Sequence, residues 1–364
     1  MPISAVDAIS PAFQHTKQQL IQPFRASQWA RLALVGFLAG ELSSGGGCNG
    51  ANFQIPTRTG GAQRFLDLGP SAANPVLYAA LIAVLIVAGL VLWVLFIYLN
   101  SVMRFILFDS IIAKSCHIRK GWNRRQGPGF RYFVWQLLLM LAALVGLTIL
   151  LGIPAAFAFA VGWLKEPSQH ILPLVLGGIV LFFLLFAFVV LLVVVHVMTK
   201  DFVVPQMALE NLGAMEGWRR LLPMLKSEKG GYAGYLGMKI VMALGAAVIV
   251  GIVAAIVTLV MLIPVGGLSV VAVLAGKTAG LTWNLYTITL AIVVGCILLV
   301  IILYTVSLVS VPAIVFFPAY SIYFFASRYP ALDALVHPAP PPLPAPPEPP
   351  AMPPPLPPTP EPIG

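Results

Sequence analysis

Long apolar runs alternate with shorter polar segments along the chain, and this alternation predicts helices that cross a membrane. A crossing helix needs about 20 mostly apolar residues to match the hydrocarbon core. By that criterion the sequence predicts six spans, at residues 29–44, 75–99, 132–163, 171–198, 236–264 and 285–311. The first is short, about 24 Å at 1.5 Å per residue, so a re-entrant or interfacial helix is its alternative.

Two polar segments, residues 100–131 and 199–235, separate pairs of these spans. In the second segment, apolar side chains recur at steps of three and four residues, which is the period of one helix face. They are Val204, Ala208, Leu212, Met215, Trp218 and Leu222. The pattern predicts an amphipathic helix that lies in the membrane interface or against the helix bundle. We expect a similar amphipathic segment over residues 1–28, and a short re-entrant piece in the Gly-rich residues 265–284.

The two polar segments resemble each other in sequence. Residues 102–125 and 197–220 both begin with Val-Met, continue through a Phe and end in a Gly-Trp pair closely followed by two consecutive arginines. A looser third copy covers residues 13–29. Such repetition predicts three units, each made of an amphipathic helix and a pair of spans. Chance resemblance between basic interfacial segments is the alternative explanation.

The composition is that of a membrane protein. Apolar residues make up 59% of the 364 residues and charged residues 9%, with a mean hydropathy of +0.95. Soluble proteins have roughly 45–50% apolar and about 25% charged residues. We therefore predict an all-α integral membrane fold with about six transmembrane helices, in which a cytoplasmic amphipathic segment (1–28) precedes a membrane domain (29–330).

The C-terminal residues 331–364 form a separate, proline-rich tail. Sixteen of the thirty-two prolines fall between Pro338 and Pro362. Proline lacks a backbone donor, so the tail is predicted to be extended polyproline II or disordered. Its simplest role is a spacer, and its alternative role is a ligand for a proline-recognising partner.

The distribution of basic residues predicts the orientation. With six spans, seventeen of the twenty-one lysines and arginines fall on one side of the membrane. The other side carries Arg58, Arg64, Lys165 and Lys277. Because lysine and arginine stay preferentially on the cytoplasmic side, both termini are predicted to be cytoplasmic.

Candidate chemistry is scarce. The cysteines at positions 48, 116 and 296 fall in three different environments, so no disulfide is expected, and no metal-binding spacing occurs. No glycine run continues into a phosphate loop. We therefore predict no metal site, no cofactor and, because the basic residues form short clusters beside apolar runs, no nucleic-acid partner.

The few ionisable residues do not suggest an enzyme. His196 and Lys239 lie near span ends, where capping or snorkelling is the expected behaviour. The acids of the polar segments are expected to pair with neighbouring bases, as Glu216 can with arginines three and four residues later. Asp109, Asp201 and Glu210 are likewise expected to pair with neighbouring bases. We therefore predict no catalytic residues.

Three motifs carry a resemblance to a known family. They are the Pro-Phe-x-x-x-x-Trp sequence that ends at Trp29, the Arg-Phe-Ile-Leu-Phe-Asp sequence of residues 104–109, and the Asp-Phe-Val-Val-Pro-x-Met-Ala sequence of residues 201–208. Over residues 13–328 the chain resembles uncharacterised multi-pass bacterial membrane proteins, and it looks like a distant relative of the membrane domain attached to some glycerophosphodiester phosphodiesterases. The resemblance implies a bacterial inner-membrane location and supports six helices. It implies no activity, and the phosphodiesterase barrel domain is not in this sequence.

These observations favour a membrane scaffold or interaction protein, with membrane lipids and other membrane proteins as its partners. Anionic lipid headgroups are expected to contact the exposed cations of the two polar segments. The candidate contacts are Arg119, Lys120, Arg124, Arg125, Arg219 and Arg220. The alternative function is a permease for a lipid-like or weakly polar substrate, since the spans are nearly bare of the ionisable groups that ion transport requires.

Overall fold

The computed structural model describes residues 3–41, 75–163, 165, 168–278 and 285–338, and every regular element within them is helical. This confirms the all-α class. The helices, in chain order, are α1 (Ile9–Leu20), α2 (Ala26–Leu38), α3 (Pro75–Ile112), α4 (Ile118–Ala160), α5 (Ile171–Met198), the π-helical turn π1 (Thr199–Val203), α6 (Val204–Glu210), α7 (Ala214–Ser227), α8 (Lys229–Thr278), α9 (Leu285–Val309), α10 (Val311–Ala326) and α11 (Pro330–Val336). Residues 339–364 of the proline-rich tail, and Cys48 with Arg58 and Arg64, lie outside the described residues, whereas residues 331–336 belong to α11.

Five helical stretches of the described chain are long and apolar enough to cross a membrane, as expected for a multi-pass protein. They are Ile82–Ile112, Ile118–Ala160, Ile171–Glu210, Lys229–Pro264 and Thr289–Ala326. The predicted count of six is not confirmed. At the predicted first span the structure has α2, whose 13 residues rise about 20 Å, less than the roughly 30 Å of a hydrocarbon core.

The buried core lies at one end of the spans. Its residues, together with the partly buried side chains packed on them, fall within residues 3–39, 98–135, 194–242 and 304–336, and we call this region the interfacial layer. Beyond it, at most 11% of the residues in the most apolar window of each candidate span are buried inside the protein. Most span side chains therefore face the surrounding solvent, which for such apolar surfaces is lipid.

The second polar segment is not one continuous helix, contrary to the prediction. It consists of π1, α6 and α7, with a break at Asn211, whose φ of 55° lies in the left-handed region. Asparagine tolerates that conformation better than most residues, so it ends α6 and turns the chain. The turn lets π1 enter the core, where Phe202 is fully buried against the rings of Tyr235 and Phe325.

The Gly-rich piece predicted to be re-entrant is part of a long helix for as far as it is described. Residues 265–278 continue α8, which passes through Pro264 without ending. The remaining residues, 279–284, lie outside the described part. The α4 helix likewise passes through Pro128 and Pro154.

The two sequence copies adopt matching arrangements. Phe105 packs edge-on against Tyr132 with ring centroids 6.0 Å apart, and Phe202 packs on Tyr235 at 5.0 Å. A glycine in each copy admits a close neighbour, because a Cβ on Gly217 would lie 2.7 Å from the Val203 side chain. In the first copy a Cβ on Gly121 would lie 3.1 Å from Ile106.

The tryptophans of the second copy and of the looser third copy each bind near a helix junction. The Trp218 indole donates to the Thr199 hydroxyl at the junction of α5 and π1 (3.0 Å). The Trp29 indole donates to the Leu308 carbonyl beside the junction of α9 and α10 (2.9 Å). The Trp29 contact joins α2 to the end of α9, and the division into three units stays a prediction.

Candidate functional site

The first candidate site is a cluster of unpaired cations at the start of α4. We call Arg31, His117, Arg119, Lys120, Asn123 and Arg124 the basic surface. All six residues are exposed. Arg119, Lys120 and Arg124 form no ion pair or side-chain hydrogen bond with any residue that the structure describes. Cations in the first turns of a helix oppose its dipole, and α4 has no acid in its first turn, so helix stability does not explain them.

Two open concavities give the basic surface its shape. One, of about 470 Å³, is lined by Arg31, His117, Ile118, Arg119, Lys120 and Asn123. The other, of about 440 Å³, includes Lys120 and Arg124 in its lining and reaches toward Asp109. Lys120 borders both, so an anion in either concavity meets at least two cations.

Arg125 lies inside the protein, so its side chain is not available to contact lipid. Its side chain is 8% exposed, and its Nε and Nη2 donate to the two Asp109 carboxylate oxygens at 2.7 and 2.5 Å. Its Nη1 donates to the Ala208 carbonyl at 2.6 Å. The guanidinium thus joins α3, α4 and α6, and it has no free edge for a ligand.

The two candidate arginines of α7 pair with acids on the protein surface. Arg219 is 76% exposed and lies 3.5 Å from Glu216, while Arg220 contacts both Glu210 and Glu216. The predicted local pairing of Glu216 is confirmed. The Tyr329 hydroxyl also donates to Glu210, so Arg220 belongs to a small network that fastens α11 to α6 and α7.

The second candidate site is a buried ionic network inside the interfacial layer. Lys200 of π1 pairs with Glu41, and Lys239 of α8 pairs with Asp201, with all four side chains at most 10% exposed. The Tyr235 hydroxyl donates to Asp201 at 2.9 Å. Beside them Arg104, which is also buried, donates to the Tyr132 hydroxyl at 2.8 Å and to the Ala39 carbonyl at 2.9 Å.

This network is compact and leaves little space for a substrate. The cavity that Glu41, Arg104, Lys200 and Asp201 border measures about 30 Å³, the volume of one water molecule. Among the described residues no three His, Cys, Asp or Glu side chains come together as a metal site would require. The geometry therefore indicates a structural role for the network.

Sequence reasoning missed this network because its partners are far apart along the chain. Lys239 was expected to snorkel, whereas its ammonium turns inward to Asp201. Glu41 was not singled out at all. The available signal was the presence of ionisable residues beside strongly apolar runs, where each is expensive unless it is paired.

A third feature is a crevice between the spans, which we call the lateral crevice. It measures about 620 Å³ and opens between α3, α4 and α5 beside the end of α2. Asn100, Gln136 and His196 line its polar end, and the rest of its wall is apolar. Sequence reasoning had placed His196 as a helix cap, but its ring has no hydrogen-bond partner among the described residues.

Comparison with known proteins gives one match. A family model described as "Family of unknown function (DUF7544)" matches residues 3–335. No curated protein and no solved structure matches the chain. The likeness to the membrane domain of glycerophosphodiester phosphodiesterases is not shown by these comparisons.

Proposed function

We propose that this chain, which belongs to the family of unknown function DUF7544, is a scaffold protein of the bacterial inner membrane that binds anionic lipid headgroups. Its partners would be membrane lipids and other membrane proteins. The observation that carries the proposal is the basic surface, in which Arg119, Lys120 and Arg124 have no partner among the described residues. No catalytic residue is part of the proposal.

The charge distribution supports a cytoplasmic position for the interfacial layer. All seventeen basic residues assigned to the inner side by the six-span topology fall within the residue ranges of this layer. Lysine and arginine beside spans favour the cytoplasmic side. In the proposed orientation both termini are cytoplasmic and the basic surface faces the leaflet that carries anionic lipids.

The expected strength of headgroup binding follows from the number of free cations. Each basic residue near an anionic surface contributes roughly 1 kcal/mol, so Arg119, Lys120 and Arg124 together contribute about 3 kcal/mol. That corresponds to roughly a hundredfold in affinity. Arg125 adds nothing to this sum, because Asp109 already neutralises it.

The experiment compares lipid retention in two variants with the same loss of charge. In the first, Arg119, Lys120 and Arg124 are replaced by Gln. In the control, three exposed lysines outside the basic surface, Lys17, Lys226 and Lys229, are replaced by Gln. We expect the first variant alone to lose co-purified phosphatidylglycerol and cardiolipin, measured by mass spectrometry of the purified protein. Equal retention in both variants contradicts headgroup binding at the basic surface.

The second candidate function is a permease for a lipid-like substrate. The lateral crevice favours it, because an apolar cavity that opens between spans could admit such a molecule. Transfer of a fluorescent phospholipid between the leaflets of liposomes that contain the purified protein would support the permease. Absence of transfer over a panel of phospholipids and fatty acids would support the scaffold.

A further inference from the structure

The walls of the lateral crevice are formed mainly by candidate membrane spans. They come from α3, α4 and α5, each of which contains a stretch long and apolar enough to cross a membrane. The volume of about 620 Å³ is within the 300–1,000 Å³ usual for ligand pockets. Because most of its wall is apolar, an apolar occupant is favoured over water.

Polarity changes along the length of the crevice in one direction. On α3 the lining runs from Trp93 to Asn100, on α4 from Ala143 back to Gln136, and on α5 from Leu192 to His196. In each case the polar residue is the one nearest the interfacial layer. The seven steps from Trp93 to Asn100 cover about 10 Å of helix. The crevice is therefore polar at its interfacial end and apolar toward the membrane centre.

The polar end has hydrogen-bonding capacity that the protein does not use. Asn100 donates its amide to the Leu38 carbonyl at 3.0 Å, and Gln136 accepts from the Ser101 hydroxyl at 2.7 Å. No side-chain partner among the described residues meets the Asn100 side-chain carbonyl or either ring nitrogen of His196, whereas Gln136 also interacts with the Tyr132 hydroxyl. Unsatisfied polar groups beside an apolar cavity are costly, which favours an occupant with polar groups at one end.

We propose that the lateral crevice holds one acyl chain of a membrane phospholipid, one of whose ester oxygens accepts a hydrogen bond from His196. The apolar length of the crevice suits the chain, and its polar end suits the ester region. A helix of a partner protein fits less well, because a cylinder 10 Å wide over the same length occupies about 800 Å³. The proposal rests on the membrane location proposed above but not on headgroup binding at the basic surface.

The test introduces bulk into the crevice and compares it with the same change elsewhere. Ala143→Trp fills the crevice, and Ala291→Trp adds the same side chain to the exposed face of α9. Full-length protein is purified in a mild detergent, and native mass spectrometry measures the bound phospholipid. We expect one tightly retained phospholipid per chain in the wild type and in Ala291→Trp, and none in Ala143→Trp. Retention of that phospholipid by Ala143→Trp, or its absence from the wild type, overturns the proposal.

A second variant keeps the crevice open and removes the hydrogen bond at its polar end. Replacing His196 by Phe should lower retention roughly fivefold, the effect of losing one ordinary hydrogen bond. Elution of each variant as a single species verifies folding. If Ala143→Trp does not fold, unchanged retention in His196→Phe overturns the proposal instead. The variant of Arg119, Lys120 and Arg124 should keep the crevice lipid, so failure of headgroup binding and failure of this proposal are distinguishable.

Discussion

The ammonium group of Lys239 contacts the carboxylate of Asp201 inside the interfacial layer, across 38 positions of sequence. Both side chains are nearly inaccessible, and Tyr235 donates a second hydrogen bond to the same carboxylate. The contact joins π1 to the start of α8. It therefore holds together the two spans that flank the second polar segment.

Removing the lysine should be strongly destabilising. Lys239→Met leaves Asp201 buried with Tyr235 as its remaining partner, and breaking a buried pair costs about 3–5 kcal/mol. We expect a large fall in the midpoint of thermal unfolding in detergent. The double variant Lys239→Met with Asp201→Asn should be more stable than the single variant, because no unpaired charge remains. A double variant less stable than Lys239→Met would show that the pair is not coupled in this way.

Local composition was sufficient to predict where the apolar helices run. The α5 helix covers Ile171–Met198, the same residues as the predicted fourth span. Hydrocarbon requires a continuous apolar run, and that property can be read directly from the sequence. The apolar run that begins at Trp29 was less informative, because a short helix can cross the membrane or pack on the interfacial layer with a similar composition.

The role of each charge could not be predicted from local sequence. Arg124 and Arg125 are adjacent and chemically identical, yet one is exposed and the other is buried against Asp109. Successive helix residues point in directions about 100° apart, so the phase of α4 decides which one meets the core. That phase depends on packing across three helices. The same holds for Lys200, whose partner Glu41 is 159 positions away.

Arg125 should therefore affect stability where Arg124 does not. Arg125→Gln removes two bonds to Asp109 and one to the Ala208 carbonyl, at an expected cost of about 2–3 kcal/mol. The cost is below that of a fully buried pair because Asp109 is 28% exposed. Arg124→Gln, the control, should change stability by less than about 0.5 kcal/mol. Comparable unfolding midpoints for the two variants would contradict this assignment.

Gly217 should not tolerate a larger side chain. A Cβ at this position would lie 2.7 Å from a Val203 methyl group, so Gly217→Ala must displace π1 or α7, at about 1–3 kcal/mol. Gly234 of α8, also helical and exposed, has open space around its missing Cβ. Gly234→Ala should be neutral or stabilise by up to about 1 kcal/mol through the helix propensity of alanine. If thermal unfolding gives Gly217→Ala the higher midpoint of the two, the close contact does not constrain the fold.

His15 should make the stability of the interfacial layer depend on pH. Its imidazole contacts the Ile111 carbonyl (3.0 Å) and the Tyr323 hydroxyl (3.2 Å), and burial, followed by the charge of Lys114, lowers the pKa of His15 below 6.5. The folded protein therefore favours the neutral ring. The unfolded chain binds a proton near pH 6.5, whereas the folded chain does not. The contribution of His15 to the free energy of unfolding is therefore fully present above pH 6.5, and it is lost as the pH falls from there toward the lowered pKa.

His15→Gln isolates this contribution from the other four histidines, which titrate in both proteins. Between pH 7.5 and pH 5.5, the midpoint temperature of thermal unfolding should fall further in the wild type than in the variant. The neutral amide of the variant keeps a hydrogen-bond donor but cannot be protonated in this range. The opposite order, with the variant more sensitive to acid, would mean that the folded state binds the proton at His15 more tightly than the unfolded chain does. In that case a carboxylate from outside the described residues would have to approach the ring, because among those described the charge that acts on it is the cation of Lys114.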